Sequence, residues 1–419
     1  MKIILARSRI PWLLVLAVVT AHAADGPLTL DEAVALAVRN APQVAAKLAA
    51  IEGARAMTES AGRLPDPELV AGVDNLPTNG PDAYSLGNDF MTMRKVGVMQ
   101  TFPSGPKRAA QRNRAQASAS MADSEALQIR LEAAQGAADA WVSVYAAEAE
   151  LTNLQDLKPD LDLQVNSARA AVAAGRASVY DAVTTEAAAA DLDDRILQAR
   201  RDLEATRAEL RRWVGDGAAL TLAPAPMFGN LPSSRAEILA TLHHHAELKT
   251  YDSRIAVARA EVAVASADKH PDWSAELDYA RRGTAYSDMV SLEFRIALPL
   301  WSRYRQDPVI RERQAMVRQL EADREAALKM HSAEATQMLE KWEAARDRLD
   351  LYERVRLPLA RQRSELALAG FKAGRMDLRS TLASLADEIE LRRTHAELLG
   401  SLGHAWAYLN FLIPPGATP

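Results

Sequence analysis

The chain carries the same punctuation twice. Ala174-Gly175-Arg176 recurs as Ala373-Gly374-Arg375, and a proline stands sixteen residues before each glycine, at Pro159 and Pro358. Upstream, a short alternating stretch in each half ends in a hydrophobic-Pro pair, Phe102-Pro103 and Leu298-Pro299. Further upstream come Pro65-Asp66-Pro67 and Pro271-Asp272-Trp273. Long helix, two short strands, very long helix, glycine turn and long helix are thus written twice, at a spacing of roughly 200 residues, too long for a stacked solenoid unit. The period reads as an internal duplication. It sets a first repeat at 24–215, a linker rich in Gly, Pro and Ala at 216–233, a second repeat at 234–413 and a tail at 414–419.

The N-terminus reads as a secretory signal. Lys2, Arg7 and Arg9 form a basic region, Ile10 to Thr20 an apolar core, and Ala21-His22-Ala23 an A-x-A cleavage site. The core is about 11 residues long, short of the ~20 that a spanning helix needs, so cleavage after Ala23 is expected. Loss of the three basic residues takes the formal net charge from −5 to −8, which leaves no basic surface for nucleic acid. No later segment is apolar for 18 residues, and the chain has no Cys. Disulfides, thiolate metal sites and lipidation of a mature N-terminal Cys are therefore excluded. Export without an anchor leaves the periplasm, the outer membrane or the medium.

The short segments alternate. Trp273, Ala275, Leu277 and Tyr279 interleave with Ser274, Glu276 and Asp278, and Val290, Leu292, Phe294, Ile296 and Leu298 with Ser291, Glu293, Arg295 and Ala297. These predict strands over 273–280 and 289–298. In the first half Leu69, Ala71 and Val73 share one side of a strand over 67–74, and a weaker strand covers 95–102 beyond a polar loop. A hairpin with one face on a globular core has this pattern. So does a tilted membrane strand of ~9–11 residues, and Trp273, Tyr279 and Trp301 fit an interfacial aromatic girdle. Four strands cannot close a barrel, because the smallest have ~8, and an open edge in lipid leaves unpaired amides. In a bilayer, several copies must pool their strands, and three copies would supply twelve.

The helical parts are too long for one small core. From Ser104 to about Ala173 only Pro106 and Pro159 interrupt, and ~70 residues at 1.5 Å each give a rod of roughly 100 Å. Apolar residues fall on heptad steps: Leu127, Leu131, Ala134, Ala138, Trp141 and Tyr145; Leu192, Ile196, Ala199, Leu203, Thr206, Leu210 and Trp213; Leu378, Leu382, Leu385 and Ile389. This is coiled-coil spacing. Gly175 and Gly374 supply the left-handed residue that ends a helix, and Pro159 and Pro358 are expected to bend the descending arms. The first helix is expected from Thr29 or Asp31 to about Ala61. The fold class is mainly α with a small β part.

Motifs of catalysis are missing. The chain has no G-x-S-x-G elbow, Walker loop, dinucleotide-binding glycine pattern or H-E-x-x-H. No catalytic residue, cofactor or metal site is expected, and the numerous acids read as solvated coiled-coil faces. His243-His244-His245 is the one tempting cluster. Consecutive helical residues point about 100° apart, so three neighbours cannot chelate one ion.

These residues together resemble the TolC-type outer membrane factors, the exit ducts of tripartite efflux and secretion systems. The resemblance covers the mature chain: Leu28-Thr29-Leu30-Asp31-Glu32-Ala33 followed by Asn40-Ala41-Pro42, the duplicated strand pairs, and Gly175-Arg176-Ala177-Ser178-Val179-Tyr180-Asp181, which fits the G-x-x-S-x-x-D tip pattern. Gln100-Thr101-Phe102-Pro103 with Gly105-Pro106-Lys107-Arg108 looks like the branch serving heavy-metal pumps. The second tip departs, with Asp377 and Ser380 where Ser and Asp would stand.

The resemblance implies a homotrimer in which twelve strands form an outer-membrane barrel and the long hairpins a periplasmic α-barrel. It also implies a periplasmic adaptor and an inner-membrane resistance-nodulation-division (RND) pump as partners, and divalent heavy-metal cations as cargo. Gly175, Arg176, Ser178, Asp181, Gly374, Arg375 and Asp377 are then the residues for tip gating and adaptor contact, through Arg–Asp pairs between hairpins. Glu68, Asp74, Glu276, Asp278, Glu293 and Arg295 would line the lumen. A drug-efflux or type I secretion duct of the same fold, or a soluble periplasmic coiled-coil scaffold, are the alternatives.

Overall fold

The computed structural model describes residues 26–215 and 221–413. The expected signal at 1–23, the first part of the linker and the tail at 414–419 lie outside the described residues.

The first half runs α1 (Leu30–Asn40), α2 (Pro42–Ser60), β1 (Glu68–Asp74), β2 (Met93–Phe102), α3 (Gly105–Ala173) and α4 (Val179–Val214). The second runs α5 (Arg235–Ala240), a 3-10 turn (Leu242–His244), α6 (Ala246–Ala267), β3 (Trp273–Arg281), β4 (Met289–Ile296), α7 (Ser302–Leu351), a π-helical turn (Tyr352–Arg356), α8 (Leu357–Lys372) and α9 (Leu378–Asn410).

The expected single first helix is two helices. Thr29 caps α1 through a capping box with Glu32, but Ala41 adopts φ −61°, ψ 121°. Proline pushes the residue before it into extended backbone and is itself well placed as the first residue of a helix. Pro42 therefore ends α1 and starts α2 in one step. The two duplicated prolines also differ. Pro159 lies inside the uninterrupted 69-residue α3, whereas Pro358 sits in the first turn of α8, two residues past the π turn, a local change of pairing that suits a residue with no N–H to give.

The heptad positions face inward. Leu192, Ile196 and Ala199 of α4 pack with Leu154, Leu157 and Leu161 of α3 and with Leu385 and Ile389 of α9. Towards the middle of the rods the main core gathers Trp141, Val142 and Val144 of α3, Leu203 and Leu210 of α4, Leu339 and Trp342 of α7, and Leu398 and Leu402 of α9. Two tryptophans at corresponding places in the halves anchor chain segments across the helices. The indole N–H of Trp141 donates to the Leu28 carbonyl at 3.0 Å, and that of Trp342 to the Phe228 carbonyl at 2.8 Å. Leu28 pairs with Leu222, so the described part of the linker is packed against the rods.

The four strands form one antiparallel sheet in the order β1-β2-β3-β4. The central pairing joins the halves: Phe102 lies opposite Trp273 and Val98 opposite Leu277, with the Phe102 and Trp273 rings stacked at 4.1 Å. β1 and β4 are edges. No described helix is long and apolar enough to cross a membrane.

Candidate functional site

Two regions hold the expected functional residues: the sheet at one end of the rods and the paired hairpin tips at the other.

The register sorts the sheet into two faces. Leu69, Ala71 and Val73 share a face with Val96, Val98, Leu277, Tyr279, Val290, Leu292, Phe294 and Ile296. A sheet packed on a globular core would bury them, yet Leu69, Val290, Leu292, Phe294 and Ile296 are between 61% and 76% exposed. An apolar patch of this extent marks a surface that meets another protein or a membrane.

The opposite face is charged and internally paired. Glu276, only 2% exposed, forms an ion pair with Arg295 at 2.7 Å and lies 3.8 Å from Lys95. Lys95 also reaches Asp74 at 3.3 Å, and Arg295 reaches Glu293 at 2.7 Å. Asp74, Glu276, Glu293 and Arg295 therefore form one chain of ion pairs through Lys95, a residue that sequence reasoning passed over. The signal was present, because Met93, Lys95, Gly97, Met99 and Thr101 alternate along β2. Asp278 is buried beside Gly97, where an added Cβ would come within 2.0 Å of its Oδ1. Glu68 is exposed at the start of β1, outside this network.

At the tips both glycines take the left-handed conformation, φ +69° at Gly175 and at Gly374. The Gly175 N–H donates to Val172 and the Arg176 N–H to Ala171; Gly374 and Arg375 repeat this with Phe371 and Gly370. This is the Schellman pattern, which satisfies the last carbonyls of α3 and α8. Arg176 and Arg375 thus contribute backbone to the caps, and among the described residues neither side chain forms an ion pair within the protomer.

Asp181 and Asp377 are occupied locally. Asp181 accepts from the Ser178 N–H at 3.0 Å and hydroxyl at 2.8 Å, and Asp377 from the Ser380 N–H at 2.9 Å and hydroxyl at 2.8 Å. These bonds, the backbone one first, hold both carboxyls below the usual range. Behind each cap sits a buried threonine, Thr185 or Thr381, whose hydroxyl donates to the carbonyl of Asp181 or Asp377. The two tips flank one groove lined by Arg176, Ala177, Asp181, Phe371, Met376 and Arg379. Val179, Tyr180 and Val183 are exposed beside it. Sequence reasoning passed over this apolar rim, although the residues lie next to Ser178 and Asp181.

Of the histidine triplet, His243 is exposed, His244 half-buried and His245 buried. The 3-10 turn ends at His244, and His245 caps α6 in extended conformation, φ −55°, ψ 136°. Burial, with His331 nearby, pushes the His245 imidazole down to about 4.

Residues 33–216 match the family described as outer membrane efflux protein. No curated protein matches the chain by sequence. Among solved structures the chain is similar to the outer membrane protein VceC of Vibrio cholerae, with 19% identity, 91% of this chain and 95% of that chain covered, and a TM-score of 0.75. It is similar to the open-state MtrE outer membrane channel of Neisseria gonorrhoeae, with 14% identity, coverage of 93% and 89%, and a TM-score of 0.74. It is also similar to CusC, described in terms of folding and transmembrane channel formation, with 14% identity, 92% of each chain covered and a TM-score of 0.73. The matched family is one of transport ducts, not enzymes. Residues 33–216 thus match the outer membrane efflux protein family, and the chain as a whole shares the fold of these solved outer membrane proteins.

Proposed function

We propose that the chain is one third of a passive outer-membrane duct for an efflux system, exporting divalent heavy-metal cations. The observation that carries this reading is the two-faced sheet: an exposed apolar band across all four strands, backed by an ion-paired polar face, with both edge strands unpaired in the protomer. A solvated scaffold has no use for such a band. Lipid accepts the apolar face but not the edges, whose amides need partners. The edge strand β4 of one copy pairs with β1 of the next, and three copies close a barrel of twelve strands with the charged face inward.

Glu68, Asp74, Glu276, Asp278 and Glu293 outnumber Lys95 and Arg295 on that face, which favours cation passage. The resemblance of Gln100 to Arg108 to the heavy-metal branch supports the cargo. At the far end the threefold axis gathers the tips, with Gly175, Arg176, Ser178, Asp181, Gly374, Arg375 and Asp377 forming the gate and adaptor contact. The adaptor is periplasmic and the pump is an inner-membrane RND protein.

Two measurements test the reading. Light scattering on the detergent-purified chain should give three copies per particle, and a stable single subunit overturns the duct. Deletion should sensitise the host to zinc, cadmium or copper salts and leave drug tolerance unchanged. The reverse pattern replaces the metal cargo with drugs.

A further inference from the structure

His245, Glu247 and His331 bring three ligand atoms within 4.8 Å of one another, although they come from a helix cap, a first turn and the middle of a separate helix. The extended backbone at His245 explains how residues two apart can converge. It breaks the helical rotation that would otherwise set them on different sides, and the ring folds back so that Nδ1 accepts the Glu247 N–H at 3.3 Å. Across the α6–α7 seam, His331 is 6% exposed and its Nε2 lies 2.8 Å from Oε2 of Glu247. The His245 and His331 rings stand 4.0 Å apart, centroid to centroid.

Two buried imidazoles side by side with one carboxylate are unusual neighbours in a core that could have used leucines. The second nitrogen of His331 adds to this. Nδ1 is buried 3.3 Å from Oε2 of Glu334 without an aligned hydrogen bond, and Glu334 in turn receives the Tyr408 hydroxyl at 3.3 Å. A ligand histidine commonly gives its other ring nitrogen to a carboxylate, which fixes the ring.

We propose that His245, Glu247 and His331 form a binding site for a divalent cation of the zinc class, with Glu334 as the positioning carboxylate behind His331. Two nitrogens and one oxygen suit zinc, cobalt, nickel or copper, whereas calcium and magnesium favour all-oxygen sets. Three protein ligands leave a fourth position for water. Metal–ligand bonds of about 2.0–2.2 Å put tetrahedral ligand atoms roughly 3.3 Å apart. The widest pair therefore closes by at most about 1.5 Å, a change that side-chain torsions can supply at the expense of the long cap bond to His245. The ion would clamp the first turn of α6 to the middle of α7, and through Glu334 and Tyr408 to α9. It is a resident ion of the helical wall, and the site stands whether or not the duct carries metal.

The test uses the full-length protein in detergent, stripped with a chelator and titrated with Zn2+ by calorimetry and with Co2+ by visible absorption. One ion per chain is expected, with Co2+ ligand-field bands that Zn2+ abolishes and Mg2+ does not. Glu247→Gln and His331→Asn should weaken Zn2+ binding by well over tenfold and Glu334→Gln by about tenfold. The double variant His243→Ala/His244→Ala should bind as the parent does. If His331→Asn fails to assemble, Glu247→Gln, which keeps size and hydrogen-bonding capacity, decides alone. Absence of binding overturns the proposal, as does binding that survives Glu247→Gln or is lost in the His243/His244 variant.

Discussion

The hydroxyl of Ser380 donates to Oδ2 of Asp377 at 2.8 Å, across the first turn of α9. At the other tip Ser178 donates to Oδ2 of Asp181 at the same distance, with the two residue types exchanged along the chain. What looks in sequence like a departure from the tip pattern is therefore the same bond written backwards. The exchange has a cost. Ser178 and Asp181 each satisfy the other's amide, a full capping box, whereas only the Ser380 amide is satisfied at the second tip.

Restoring the order should strengthen the second tip. Asp377→Ser alone leaves two serines and no carboxylate, so amide exchange across 377–381 should speed up. Asp377→Ser/Ser380→Asp should slow it below the parent rate, because the capping box then closes. Exchange no slower than in the parent refutes the comparison.

The tip carboxyls also set a pH dependence. Both Asp181 and Asp377 are held below the ordinary value of 3.8. A depressed folded pKa means the cap's contribution is fully present above the unfolded value and disappears as pH falls through the folded one. Protease resistance of the tips should therefore be flat from neutral pH down to mild acid and drop only below the usual carboxylate range. The Asp181→Asn/Asp377→Asn variant should show no such drop. A fall in resistance near pH 6 would point to another group.

Much of this fold could be read from residue order because its signals are local. Gly175 and Gly374 needed only a left-handed turn, and Leu192, Ile196, Ala199 and Leu203 only a repeat to count. The strands lie within two residues of their expected bounds for the same reason. Contacts made by distant segments were not legible. Lys95 became the hub of the polar face only when β2 settled between β1 and β3, and His331 met His245 only when α7 crossed α6. Pro42 shows a different failure: the break was written in the sequence, but helical periodicity on either side masked it.

The indole of Trp342 supplies a stability prediction. Its bond to the Phe228 carbonyl is buried, whereas the equivalent bond from Trp406 to Asn230 is exposed. Trp342→Phe leaves a buried acceptor unpaired and should cost about 1–3 kcal/mol, while water replaces the partner after Trp406→Phe. Thermal midpoints of the two variants measured side by side should rank in that order. Equal shifts would mean that ring volume, not the hydrogen bond, is what matters at Trp342.

The two sheet faces should respond oppositely to charge. Leu292→Arg places a cation on the apolar face and should cost about 2–4 kcal/mol if the position lies near mid-bilayer, seen as loss of assembled protein from the outer-membrane fraction. Glu293→Gln, one residue away on the other face, removes one acid from the ion-pair network and should assemble normally. Equal tolerance of both changes would argue that the apolar face meets something other than lipid.

Gly97 offers the sharpest steric test. A Cβ there would lie 2.0 Å from Oδ1 of Asp278 and 2.6 Å from the Leu277 carbonyl. The first clash is with a side chain and the second with the backbone of the neighbouring strand. Gly97→Ala should therefore disturb the β2–β3 pairing that joins the two halves, and the yield of folded protein should fall. Adding Asp278→Gly removes the nearer obstacle and leaves the backbone contact, so rescue should be partial. Full rescue would show that β2 and β3 can part by the needed few tenths of an ångström at no cost, and no rescue would show that the backbone contact alone requires glycine.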